Sequence, residues 1–218
     1  PVDIRLSAHM SKLRFSSRAY SYLGEVPVFD VADRPISDWN LVFKWLFDRI
    51  VALIAIILLS PVMVVTAIAI KIESKGPVLF KQKRHGFNNE LIEIYKFRSM
   101  YTDMSDANAS KLVTRDDPRV TRVGRLIRKT SIDELPQLFN VLRGDMSLVG
   151  PRPLLPEYLG RYSPEQARRH AVRPGLTGLA QVEGRNALGW NERFALDVRY
   201  VDEHSLALDV RILARTLV

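Results

Sequence analysis

Two adjacent acids, Asp133 and Glu134, stand between a basic stretch and a series of arginines set on proline and glycine turns. Carboxylates and guanidinium groups together are the residue types that phosphoryl transfer uses. A carboxylate attacks phosphorus or holds a divalent cation, and arginine grips phosphate oxygens two at a time. Adjacent helical residues point about 100° apart, so the two acids divide labour rather than share one proton. Arg152 lies between Pro151 and Pro153, Arg173 precedes Pro174-Gly175, and Arg185 follows Gly184. Each backbone is stiff or tightly turned, and a guanidinium held on such a loop suits a diphosphate clamp. Singly, each would be an ordinary surface arginine; it is the set, with the acid pair, that reads as a site.

The acids must be positioned by a helix start. Thr130 and Ser131 precede them, and Leu135, Leu138, Phe139 and Leu142 follow at i, i+3, i+4, i+7. Pro136 allows two placements. Either the helix begins at about Ile132 or Asp133, or it starts at Ser131 and is distorted. In the first case Asp133 is the N-cap, where free N–H groups and the helix dipole favour its ionised form and also hold a phosphate. Glu134 can then take a divalent cation that bridges phosphate oxygens. The competing reading is a capping box, Ser131-x-x-Glu134, with no chemistry attached.

A second element must carry the site to its surroundings. From Ile50 to Ile70 the chain carries no charge, and about 20 apolar residues suffice to cover about 30 Å of hydrocarbon as a helix. Ser60-Pro61 interrupts the middle of this run. Pro61 has no N–H for the carbonyl of Ile57, while the Ser60 hydroxyl can bond one turn back. The expectation is a sharp bend, and a re-entrant hairpin over residues 41–75 with both ends on one side. Basic residues flank both ends, Lys44 and Arg49 before and Lys71 and Lys75 after, so charge does not distinguish the two sides. A Pro-kinked span is the alternative.

The remaining chain supplies scaffold. Residues 1–40 carry no chemical motif and read as a linker or the edge of a missing N-terminal domain; a start at Pro1 rather than Met is what an excised fragment would show. Val78–Phe80 and Leu91–Phe97 predict strands about a turn at 86–89, with Ile92, Ile94 and Phe97 inward. Val120, Val123, Leu126 and Ile127 alternate with Arg119, Arg122, Arg125, Arg128 and Lys129. That pattern fits a helix in the lipid headgroup layer or one packed on its own domain. Residues 155–172 predict a helical segment, 172–186 a structured loop, and the C-terminus one or two amphipathic helices. The net charge of +8 favours an anionic partner. The absence of Cys excludes disulfides and thiolate chemistry, and the four His show no metal-ligand spacing. No groove-reading motif supports a nucleic-acid partner.

The apolar run broken at Ser60-Pro61, KFRSM at 96–100, RKTSIDELPQLFNVLRGDMSLVGPRPL, RPGLTGLAQVEGRN and the closing LDVRYV with its S-x-x-x-D resemble the catalytic core of the bacterial sugar transferases called monotopic phosphoglycosyl transferases, or polyprenyl-phosphate hexose-1-phosphate transferases. The resemblance covers residues 41–218 and makes 76–218 the catalytic domain. It implies an α/β, mainly helical fold, in which a re-entrant helix-break-helix and interfacial amphipathic helices seat a small cytoplasmic catalytic domain on the bacterial inner membrane. The implied reaction moves a sugar 1-phosphate from a UDP-sugar to polyprenyl phosphate and releases UMP. By that resemblance Asp133 is the nucleophile, and Glu134 helps hold Mg²⁺ or assists the lipid phosphate. Lys96, Arg98, Arg128 and Arg152 contact phosphates, and Arg173 and Arg185 lie near the nucleotide or diphosphate. A module that binds anionic membrane lipids without catalysis is the competing class.

Overall fold

A computed structural model describes residues 20–23, 26–29, 38–104, 114, 117–184 and 187–216. The chain divides into two units, Pro1–Pro35 and Ile36–Val218. In the first, β1 (Tyr20–Leu23) and β2 (Val26–Phe29) form an antiparallel pair.

The second unit opens with α1, Asp38–Glu73, whose 36 residues extend about 54 Å at the usual rise. Of the described helices it alone is long and apolar enough to cross a membrane, with mean hydropathy 2.8 over its most apolar stretch. Where two half-helices separated by a break were expected, the helix runs through Pro61 without interruption. The local reason is the neighbouring hydroxyl: Ser60 Oγ donates to the carbonyl of Ile57 at 2.8 Å, the acceptor that Pro61 cannot serve.

Both ends of α1 are tied to the rest of this unit. Near its start Lys44 pairs with Asp48 and with Asp209 on the last helix, and Asp48 accepts the amide of Leu148. At its finish Glu73 accepts the amides of Arg122 and Val123 at 2.7 and 3.0 Å. Those two N–H groups begin the next helix, α2 (Arg122–Lys129), so one helix supplies the other's cap. Between these ties Ile57, Leu58, Val65 and Ile68 stand exposed, an apolar surface suited to lipid.

After α1, strands β3 (Leu79–His85) and β4 (Leu91–Phe97) form an antiparallel hairpin in which Phe80 faces Lys96, Gln82 faces Ile94 and Arg84 faces Ile92. Ile94 and Phe97 are both buried, as expected, but on opposite faces of β4, Ile94 in the main core and Phe97 against Ile70 and Ile127. Helix α2 packs Val123 and Ile127 against Ile70 and Phe97 and leaves its arginines and Leu126 outward, so part of its apolar stripe is used within the domain. Next come α3 (Gln137–Arg143) and β5 (Ser147–Val149), which pairs in parallel with β6 (Gly175–Thr177). Between these strands lie a 3₁₀ segment, Pro156–Arg161, and α4 (Pro164–Ala167), capped by Ser163 as its sequence implied. A strand and a short helix, α5 (Leu179–Glu183), thus occupy the stretch expected to be loop.

The C-terminal helices are α6 (Trp190–Glu203) and α7 (Leu206–Thr216). Their Tyr200, Val201 and Ile212 enter the main core beside Ala52, Leu138, Val141 and Val149, so these helices face the protein interior. The mainly helical expectation is met, with each sheet limited to two strands among the described residues.

Candidate active site

The acid pair stands on a single 3₁₀ turn, Ile132–Glu134, between α2 and α3. Ser131 adopts a left-handed conformation (φ 58°) that ends α2, and the Thr130 hydroxyl folds back onto the carbonyls of Leu126 and Ile127. Ile132 and Leu135 pack into the cluster formed by Ile70, Phe97 and Ile127, which leaves the two acids between them available to the other side. Helix α3 starts only after Pro136, later than either placement read from the sequence, because the proline takes the N-cap where its missing N–H costs nothing. The capping box is also absent: Ser131 makes no side-chain cap bond, and the Glu134 carboxylate is engaged elsewhere.

That engagement defines the site. Lys96 Nζ donates to Glu134 Oε1 at 2.8 Å, and Arg152 donates to both carboxylate oxygens, at 2.5 and 3.3 Å. Burial opposes the Glu134 charge, but Arg152 and Lys96 outweigh it and hold the carboxyl down at about 2. Asp133 goes the other way. Its partial burial pushes its carboxyl above the ordinary value, helped by the neighbouring Glu134 charge and opposed by Lys96, Arg128 and Arg152. The N-cap expectation of a favoured ionised Asp133 is therefore corrected: one 3₁₀ turn offers too few aligned amides to offset burial.

Arg152 is held from behind. Its carbonyl accepts Arg169 Nη2 at 2.6 Å, and Arg169, buried, forms an ion pair with Asp197 of α6 at 2.7 Å. The carbonyl of Pro151 accepts the amide of Gly175, so the Pro-Arg-Pro loop is pinned on both sides. Gly150 and Gly175 approach so closely that a Cβ on Gly175 would lie 2.1 Å from the Gly150 nitrogen. Only glycine permits this crossing.

Of the other arginines named from the sequence, Arg128 ends α2 exposed, with its charge acting on Asp133. Arg98 faces away. It is buried, and its guanidinium ties down the turn that follows α1 by donating to Lys75 O at 2.5 Å and Ser74 O at 2.8 Å. Arg173 is exposed on the loop leading to Gly175, and Arg185 lies outside the described residues.

Two residues were missed. Arg84 and Gln82 share a face of β3 with each other and, through the register, with Lys96 of β4. Arg84, Lys96, Arg152, Ile94, Gln137 and Gly175 line one cleft. The signal was the period of two in Gln82-Lys83-Arg84, obscured by the basic character of the whole stretch.

A divalent cation fits this donor set through few protein ligands. Glu134 is committed to two cations, and no cluster of three acid, His or Cys side chains occurs among the described residues. Asp133 is the carboxylate left, and Mg²⁺ commonly binds through one or two carboxylates with phosphate and water completing the shell.

Comparison with known proteins agrees with this geometry. The bacterial sugar transferase family profile matches residues 39–218. The chain is 48% identical over 195 residues to the undecaprenyl-phosphate glucose phosphotransferase of Komagataeibacter xylinus, covering 84% of this chain and 37% of that one. It is 49% identical over 177 residues to an uncharacterized sugar transferase of Bacillus subtilis (strain 168), covering 81% and 86%. Against the UDP-N-acetylgalactosamine-undecaprenyl-phosphate N-acetylgalactosaminephosphotransferase of Aeromonas hydrophila it is 47% identical over 176 residues, covering 78% and 41%. The chain thus spans less than half of the two relatives named for a substrate and most of the shorter one. With the acid pair, its cationic clamp and a lipid-suited helix in one unit, the chain belongs to the bacterial sugar transferase family.

Proposed function

We propose that the chain transfers a sugar 1-phosphate from a UDP-sugar to polyprenyl (undecaprenyl) phosphate, releasing UMP, at the cytoplasmic face of the bacterial inner membrane. The observation that carries this reading is the unequal treatment of the two acids. Glu134 is ion-paired with Lys96 and Arg152, while Asp133 beside it forms no ion pair with either and its burial raises its carboxyl. A more basic carboxylate, once ionised, is the better nucleophile.

In the first step an Asp133 oxygen forms a bond to the sugar-bearing phosphorus. The phosphoanhydride bond breaks, and its electron pair leaves on UMP. In the second, an oxygen of polyprenyl phosphate attacks the same phosphorus, the aspartyl bond breaks, and Asp133 returns as carboxylate with polyprenyl diphosphate sugar as product. Lys96 and Arg152, fixed by Glu134, stay pointed at the phosphoryl oxygens as charge redistributes. Mg²⁺, when bound, would neutralise diphosphate charge and would be held by Asp133. The differing sugars in the relatives' names leave the donor as a UDP-sugar without a chosen hexose.

Both ends of α1 are tied to one unit, which supports a re-entrant placement in a single leaflet. The chain has no Cys, so single cysteines placed at the exposed Val42 and Lys75 report topology cleanly. Both should be labelled by an impermeant reagent from the same side; labelling from opposite sides would replace the one-sided placement with a span. For the reaction, the detergent-solubilised protein is incubated with undecaprenyl phosphate and a panel of UDP-sugars. UMP release with at least one donor is expected, and silence across the panel would favour a lipid-binding module without catalysis.

A further inference from the structure

Arg84 sits in the cleft bonded to no carboxylate, with Glu134 acting on it only from a distance. Its guanidinium donates to the neutral Gln82 Oε1, at 3.2 Å from Nε and 2.5 Å from Nη2, and makes no ion pair among the described residues. Lys96 and Arg152 share Glu134, so the cleft holds three cations against one fully committed acid. Arg84 is only partly exposed, and burial together with the nearby Arg152 lowers its guanidinium to about 10. A charge in that position is stabilised by an incoming anion.

The positions along the hairpin give the order of the cations. Lys96 faces Phe80 in the register, and Arg84 lies four residues beyond Phe80 on the same face, about 14 Å at the usual strand rise. Arg152 interacts with Glu134 on one side and acts on Arg84 on the other. Lys96, Arg152 and Arg84 thus line one cleft, the first two meeting on Glu134 next to Asp133 and Arg84 lying farther along the hairpin.

We infer that Arg84, aimed by Gln82, binds the nucleotide-side phosphate of the donor, the one that departs on UMP. This rests on the transferase reading for which phosphate is which. The sugar-bearing phosphorus must lie at Asp133, so the second phosphate of the same diphosphate extends away from it along the cleft. The bidentate geometry of guanidinium suits that phosphate, and its fixed charge stabilises the negative charge that UMP takes on as the anhydride breaks.

The test uses the full chain in detergent, comparing wild type with R84Q, R84K and Q82L. UMP binding is measured by calorimetry, with uridine as the phosphate-free control, and steady-state kinetics are measured for donor and lipid acceptor. R84Q should weaken UMP binding by about tenfold or more, the loss of a charge-assisted contact. Uridine binding and kcat/KM for polyprenyl phosphate, which the second half-reaction alone sets, should stay as in wild type. R84K should lie between, because it keeps the charge and loses the fork, and Q82L should show a smaller loss of the same kind. Should R84Q fail to fold, R84K and Q82L still decide the matter. Unchanged UMP binding in the folded variants, or a loss confined to kcat/KM for the acceptor, overturns the assignment. A wild-type protein that binds UMP but transfers no sugar would sink the transferase reading and leave the phosphate contact to be judged by the binding arm.

Discussion

One lysine and two acids occur twice in this molecule, with opposite outcomes. At the start of α1, Lys44 is bonded by both Asp48, at 2.9 Å, and Asp209, at 2.7 Å, and the Tyr200 hydroxyl donates to Asp209 at 2.6 Å. All three charged side chains are at most 11% exposed. In the cleft, Lys96 also has two acids near it, but Arg152 joins it on Glu134 and Asp133 is left unshared. The first arrangement is closed and uses its charges to join α1 to α7. The second opens onto a cleft with surplus positive charge and one carboxylate held back, which is the condition for a reactive group.

Substitutions should separate the two triads, starting with the largest effect. D133N should cut turnover on the order of 10³-fold or more and abolish any donor-derived adduct on the protein, as loss of a nucleophile does. Its melting temperature should not fall, because a buried charge is removed. Near-normal turnover in D133N would end the covalent route. D209N should do the reverse. Leaving Lys44 short of one partner in a buried site costs about 3 kcal/mol, read by denaturation in detergent. The donor KM of the folded fraction should be unchanged; a changed KM with full stability would erase the distinction between the triads.

Acid provides the finest comparison. Glu134 is depressed to about 2, so its contribution to stability is present above the ordinary carboxylate value and is lost as pH falls from there towards about 2. Asp133 is raised, so it protonates at higher pH than an ordinary aspartate, losing its nucleophilic form while relieving a buried charge. On lowering pH, activity should therefore disappear before the melting temperature drops. The reverse order would mean that the two acids have exchanged roles. E134Q should shift the stability profile, removing its acid-dependent part, and should reduce turnover by about 10²-fold through the loosened Lys96 and Arg152.

What could be read from the sequence was what is decided within a few residues. The Ser60 hydroxyl reaches Ile57 within one turn, and the Ser163 cap lies three residues from its partner Gln166. Arg152 was legible because prolines on both sides restrict it. Arg98 was not, since its role depends on meeting carbonyls of Ser74 and Lys75 that only the folded hairpin brings to it. The pairing of Lys44 with Asp209 and the grip of Arg169 on the Arg152 carbonyl are likewise tertiary facts without a local signature. The behaviour of Asp133 combined both levels: its position was evident, but its raised basicity comes from surroundings assembled by α2, β4 and the Pro-Arg-Pro loop.

The cap that Glu73 places on α2 sets a height. From Glu73 the path to Asp133 consists of α2, about 12 Å long, and one further turn, with no slack segment between. With α1 lying in the hydrocarbon layer, that short strut works as a depth gauge. On the proposed reading, how deep the apolar helix floats decides how far above the lipid phosphates Asp133 rides, and the thickness of the host bilayer becomes a setting of the proposed transfer.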